Sequence, residues 1–213
     1  QAFGVHATGG DGTVILKNLW ADMAGQGSRG GYAQNGGSIT ADYVDIKTTG
    51  SGSAALAVTN IGTIQQSAIT IGGGYVSSAD SNSAALRLYS DADAGANIDL
   101  TMDNNSRWNI AGGVSVNNLH CLDNRNGIVD MSSKSNGYET LMIDSLKGTG
   151  TYIFDTDLSS EIYGDKISIV TSEVGNNLVQ VKDASLINGE VTGVKNLLII
   201  TDASQNATFV GSA

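Results

Sequence analysis

The chain has 213 residues with 28 Gly, no Pro, one Cys and 11 basic against 21 acidic side chains, a formal net charge of −10. A lone thiol closes no internal disulfide and builds no thiolate zinc site, the acidic balance repels nucleic acid and anionic lipid, and no apolar run approaches the ~20 residues of a membrane-spanning helix. Proline at a typical ~5% would number about ten, so its absence favours unbroken backbone hydrogen bonding, while glycine near twice its usual ~7% points to many tight turns. The start at Gln1 carries no basic-then-apolar leader, so the sequence reads as a mature soluble protein or an excised piece.

Taken in chain order, Gly9-Gly10-Asp11-Gly12 is one broken copy of a calcium-binding nonapeptide and carries no metal reading by itself. A glycine-rich stretch runs from Gly25 to Gly37. Short runs with apolar residues at period two then recur at Ile39-Thr40-Ala41, Ile69-Thr70-Ile71, Ile98-Asp99-Leu100, Val114-Ser115-Val116, Ile167-Ser168-Ile169 and Val179-Gln180-Val181. That alternation predicts strands with one buried face. The clusters between them, Gly72-Gly73-Gly74, Ser77 to Asn82 and Asn104-Asn105-Ser106, are turn chemistry. No stretch has the period of a long amphipathic helix, so the chain is expected to be all-β.

Repetition separates a solenoid from a sandwich. Ser53-Ala54-Ala55-Leu56 returns as Ser83-Ala84-Ala85-Leu86, and the triplets beginning Ile39, Ile69 and Ile98 are similarly spaced. One such unit is too short to bury its own core, but stacked units about 4.8 Å apart can. Stacking makes every strand but the terminal ones central, which suits a chain without proline. The pattern favours a β-solenoid over a sandwich. The repeat fades after Asn105, where larger apolar residues take over, which places a boundary near residue 105.

Candidate chemistry upstream of that boundary is limited to carboxylates. Asp91, Asp93, Asp99 and Asp103 invite comparison with β-helical polysaccharide lyases and hydrolases, which use clustered carboxylates for metal binding or acid–base work, but they read as solvated turn chemistry.

From Trp108 onward an ordered set of segments resembles a known family. They are Trp108-Asn109-Ile110, Val114-Ser115-Val116-Asn117-Asn118-Leu119, Asn126-Gly127-Ile128-Val129-Asp130, Tyr138-Glu139-Thr140-Leu141, Leu146-Lys147-Gly148-Thr149-Gly150-Thr151-Tyr152-Ile153-Phe154, Thr156-Asp157-Leu158 and Gly164-Asp165-Lys166-Ile167. Between about Ser106 and Ala184 the chain resembles the C-terminal passenger region of autotransporters. The resemblance implies a pertactin-like, single-stranded right-handed parallel β-helix on the surface of a Gram-negative bacterium. Its C-terminal segment is similar to an autochaperone, which folds first outside the outer membrane and templates the rest. The signal, helical linker and outer-membrane barrel of a full autotransporter are not visible, which suggests an excised passenger piece.

The resemblance implies structural rather than catalytic roles for Trp108, Leu119, Gly127, Leu146, Gly148, Gly150, Tyr152, Phe154, Asp157, Leu158, Asp165 and Lys166. Trp108 would cap the folding segment, and Asp157 would bond backbone amides or Lys166 at a rung corner. Leu122, Leu141, Ile143, Ile162 and Ile167 add to the same large-residue core, each worth roughly 1.5–3 kcal/mol when buried.

Other motifs have plainer readings. Gly148-Thr149-Gly150 lacks the helix start and Lys of a phosphate cradle and reads as a strand turn. His6 and His120 are the only histidines and no G-x-S-x-G elbow occurs, so no serine triad is expected. Adjacent His120 and Cys121 should point to opposite faces of a strand, with Cys121 a buried small hydrophobe. Asn104-Asn105-Ser106 and Asn206-Ala207-Thr208 match a glycosylation pattern but read as turns.

The expectation is therefore a non-enzymatic passenger fragment with residues 1–105 as β-helix stem and 106–213 as autochaperone-like segment. It needs no cofactor and no metal. Its implied partner is the C-terminal outer-membrane barrel of its own protein, with host-cell surface or self-association as further contacts and no nucleic acid. Rival readings are an adhesive or self-associating face and a carbohydrate-active β-helix enzyme.

Overall fold

The computed structural model of the chain describes residues 2–60, 67–71, 74–78, 84–90, 96–102, 106–109, 116–132, 138–158, 162–183 and 196–211. Asp91, Asp93, Asp103, Gly72-Gly73, Asn104-Asn105 and Val114-Ser115 lie outside the described residues.

Within them every regular element is a strand: β1 (Phe3–Thr8), β2 (Thr13–Met23), β3 (Arg29–Gln34), β4 (Ser38–Thr48), β5 (Ala54–Asn60), β6 (Ser67–Ile71), β7 (Gly74–Ser78), β8 (Ala84–Ser90), β9 (Ala96–Met102), β10 (Arg107–Asn109), β11 (Val116–Asp130), β12 (Thr140–Thr156), β13 (Lys166–Ser172), β14 (Gly175–Asp183), β15 (Ile200–Asp202) and β16 (Ala207–Gly211). All these strands pair in parallel, each with a strand of the adjoining turn of the coil; upstream the partner is two or three strands away in the chain, and at β10–β11, β11–β12 and β12–β13 it is the chain neighbour. Connections between parallel strands are right-handed in nearly all proteins, and the result is a single-stranded right-handed parallel β-helix.

Its core is a set of inward ladders along the axis. On one wall Leu16, Ala41, Ile71, Leu100, Leu122 and Leu146 stack in register, and Ile39, Ile69 and Ile98 stack beside them. On the next wall Ala21, Ile46, Val76, Trp108, Val129, Tyr152, Val179 and Gly211 form one unbroken ladder. The third wall is the four-stranded sheet β1-β3-β5-β8, where Ala54 pairs with Ala84 and Leu56 with Leu86. The two internal repeats read from the sequence are thus stacking partners. Like faces like because equal side chains at one radial position fill equal volume in successive layers.

Corners are closed by buried small polar residues. Ser53 Oγ accepts the N–H of Ser28, Ser67 Oγ that of Gly36 and Ser106 Oγ that of Gly74, at 3.1, 2.9 and 2.9 Å. Each hydroxyl satisfies a backbone donor of the preceding rung that no ladder reaches. Ser106 is therefore a buried corner post rather than a solvated turn residue. The ladders run through residue 105 without a break, since β10 pairs with both β7 and β11. What changes there is the third wall, whose described strands end at β8.

Candidate functional site

The rungs built by β10, β11 and β12 hold the largest enclosed side chains, Trp108, Tyr152 and Phe154. β11 and β12, of 15 and 17 residues, are the longest strands, and they pair over nearly their whole length around one register shift between Arg125 and Ile128. Tyr152 also packs edge-on to Phe209 of the last rung, with ring centroids 6.0 Å apart. Burial holds the Tyr152 phenol well above its usual pKa, opposed by a contact from Asn124. Leu119 and Leu146 are enclosed in the same core.

The register shift marks an asparagine–glycine corner. Asn124 is buried, and its Oδ1 accepts the N–H of Gly127 at 2.7 Å. Asn177, buried two rungs beyond Asn124, accepts the N–H of Gly150 at 3.0 Å. A Cβ at Gly150 would lie 1.8 Å from Asn124 Nδ2, and Gly148 has φ +74° with its Cβ position 2.4 Å from the Asn124 carbonyl. Both glycines are required by close approach of the neighbouring rung, and Gly148 by its left-handed backbone as well.

At the far end of β12 the chain makes a return loop. Thr156 and Gly164 form an antiparallel bridge, Asp157 donates its N–H to the Tyr163 carbonyl at 2.9 Å, and the Tyr138 and Tyr163 rings stack alongside. Asp165, fully buried, accepts the N–H groups of Glu139 at 2.8 Å and Asp155 at 2.5 Å. Asp165 is thus a carboxylate that bonds backbone amides at this corner. Asp157 is half-buried, as is Leu158, whose N–H donates to Asp183 at 3.4 Å. Lys166 is exposed, and its backbone N–H rather than its ammonium joins the corner by donating to the Glu139 carbonyl.

Two carboxyls of this corner are held far above the ordinary range. Burial, with Asp165 adding repulsion, pushes Glu139 up to about 8. Burial pushes Asp165 up to about 7 against the two amide hydrogen bonds, with Asp155 and Asp130 adding repulsion. Burial and the carboxylates of Asp157, Asp155, Asp165 and Asp183 raise Tyr138. The resemblance singles out Asp165; Glu139 stands in one of its segments without being singled out, and Asn124, Asn177 and the corner serines are not singled out by it. Asn124, Asn177 and Ser53 stand in polar, glycine-bearing stretches that read as turns.

Three expectations need correcting. Ile162 is exposed, because the return loop is pinned at Thr156 and Gly164 and leaves its apex outside the coil. Cys121 is half-buried, and so is His120: the chain turns a corner between inward Leu119 and Leu122, so two successive residues face outward and the alternation breaks. Burial and then Asp99 raise the Cys121 thiol above its ordinary value. Of the acidic residues weighed for catalysis, Asp99 is occupied by His120, whose Nδ1 lies 2.7 Å from its Oδ1. Among the described residues no three His, Cys, Asp or Glu side chains converge as a metal site.

Comparison with known proteins places the same rungs. Residues 116–213 match the Pertactin family model. Two immunoglobulin A1 protease autotransporters of Haemophilus influenzae are 32% and 36% identical to the chain over 136 and 124 residues, covering 59% and 57% of it. The chain spans about 8% and 7% of the length of these relatives. Together with the parallel coil, these matches show that residues 116–213 are similar to a pertactin-like autotransporter passenger region.

Proposed function

We propose that the chain is a non-enzymatic stem of an autotransporter passenger, in which residues 106–213 fold first and template the rungs before them. The observation carrying this is the concentration of Trp108, Tyr152 and Phe154 in the rungs of β10 and of the two longest strands, β11 and β12. Parallel pairing nucleates slowly because it is non-local. Rungs here are short in chain, with Val129 pairing to Tyr152 against Val179 to Gly211 further on, but the saving in loop closure is only about 0.3 kcal/mol. Truncating one large core aromatic costs about 3–5 kcal/mol, so side-chain burial decides where the coil starts.

In this reading the passenger is displayed on the Gram-negative cell surface after crossing the outer membrane, and its partner is the barrel of its own protein. The protease activity in the relatives' name belongs to those proteins, which share with this chain only a small fraction of their length. Two matched truncations test the folding order, because Val129 and Val58 are both fully buried. Val129→Ala is expected to slow refolding of the full chain, and Val58→Ala to speed unfolding with little change in refolding. The reverse assignment would overturn the reading.

A second reading, self-association, is favoured by one feature. Leu178 and Val210 are register partners on the outer face and each is about half exposed, which leaves an aliphatic stripe at the C-terminal end. Concentration-dependent sedimentation abolished by Leu178→Lys would support it.

A further inference from the structure

The sequence contains the pairs Asn35-Gly36, Asn126-Gly127, Asn136-Gly137 and Asn188-Gly189, of which the first two lie within the described residues. Asn35 and Asn126 stand exposed with left-handed backbone, at φ 51° and 65°, a conformation that asparagine tolerates better than most side chains. Asn35 and Gly36, the latter at φ 90°, are the central residues of a turn closed by the Gly37 N–H donating to the Gln34 carbonyl at 2.9 Å. In both pairs the glycine N–H is tied to a buried side chain. That of Gly36 donates to Ser67 Oγ at 2.9 Å, and Ser67 Oγ in turn donates to the Thr59 carbonyl at 3.2 Å. That of Gly127 donates to Asn124 Oδ1 at 2.7 Å, while Thr149 Oγ1 of β12 donates to Asn126 Oδ1 at 3.4 Å.

The glycine nitrogen is the atom on which the chemistry of such a pair turns. Once it gives up its proton to base it can attack the asparagine side-chain carbon Cγ. A ring C–N bond forms, the Cγ–Nδ2 bond breaks, and the side-chain nitrogen takes up a proton and leaves as ammonia. Water then opens the cyclic imide at either carbonyl, giving aspartate or, with the main chain rerouted through Cβ and Cγ, isoaspartate. Glycine favours the attack because no Cβ stands beside its nitrogen.

We propose that Asn35 and Asn126 are deamidation sites that the folded coil keeps shut, with Ser67 and Asn124 as the groups that shut them. An N–H committed to a buried acceptor yields its proton to solvent base only when the corner opens. The unfolded chain has neither tie. Opening would be costly to the coil, because isoaspartate adds a carbon to the main chain between Gln34 and Ser38, both of which are held in ladders to the next rung. Sequence alone ranks the two pairs as equally reactive turns; their protection comes from Ser67, a residue of the next rung, and from Asn124 turned inward.

The test is incubation of the full chain in mildly alkaline buffer, folded and in urea, with peptide mass spectrometry reading each asparagine separately and chromatography dividing isoaspartyl from aspartyl peptides. Asn35 and Asn126 are expected to convert at least about tenfold more slowly in the folded chain, since local opening limits a protected amide. Ser67→Ala strips Gly36 of its acceptor and, in the folded variant, is expected to speed conversion of Asn35 at least about tenfold while Asn126 of the same molecule keeps its wild-type rate. Should Ser67→Ala fail to fold, hydrogen exchange of the wild type decides: slow exchange of the Gly36 and Gly127 amides supports the proposal, and exchange as fast as in urea contradicts it. Equal conversion of folded and unfolded wild type, an unchanged Asn35 rate in folded Ser67→Ala, or equal acceleration of both asparagines in that folded variant would overturn it.

Discussion

The rungs before residue 105 and those after it share one coil and fill it differently. Upstream, three strand walls close around small residues, with Gly30, Gly31, Ala33, Ala54, Ala55 and Ala57 all buried on the third wall. The walls approach so closely that a Cβ at Gly30 would sit 2.3 Å from Ile46 Cγ2. Downstream, the described part of the third side is loop and carboxylate, and the space inside admits Tyr152 and Phe154. A third sheet thus narrows the coil, which is filled by aliphatic residues such as Ile39, Ile46, Ile69 and Ile98 beside small ones, while the described rungs without it leave room for aromatic burial. The first arrangement extends readily by repetition. The second buries the aromatics Trp108, Tyr152 and Phe154, and in the proposed function it is the place where folding begins.

The contrast is broken most strongly by Tyr152→Ala, expected to cost about 3–5 kcal/mol in urea unfolding of the full chain. A loss under about 1 kcal/mol would mean that the downstream core is no more decisive than the alanine-lined one. Glycine substitutions sharpen the same comparison. Gly150→Ala should cost about 1–3 kcal/mol, because its methyl group displaces the Asn124 amide and strips Gly127 of its acceptor. Gly52→Ala, at φ +70° with open space around it, should cost only the ~1 kcal/mol of a left-handed alanine. Thermal melts of the two variants should differ accordingly. Smallest of all, Lys166→Ala should change stability by less than about 0.5 kcal/mol, the usual level for exposed positions. A larger loss would give its ammonium a role at the corner.

Much of the coil was legible because period and repeat are geometric. Ile39, Ile69 and Ile98 recur in sequence because they stack in space, and the alanine repeat at residues 53 and 83 marks a shared wall for the same reason. The acidic corner was legible only in part. Asp165 stood within a family-like segment, but its partners Glu139 and Asp155 are brought to it by the return of a loop, which no local pattern records. Asn124 and Asn177 look like turn residues because asparagine ordinarily is one; only the neighbouring glycines, which leave room for their amides, place them inside. Ile162 misled for the opposite reason, since hydrophobicity alone does not say whether a loop apex folds in or out.

The templating claim is met most directly by pulse-labelled hydrogen exchange during refolding of the full chain. Amides of β11 and β12 are expected to gain protection first, with β13 and β14 close behind and β3, β4 and β5 last. Early protection of β3 to β5, with β11 and β12 still open, would contradict it and move the origin of folding to the alanine-lined rungs.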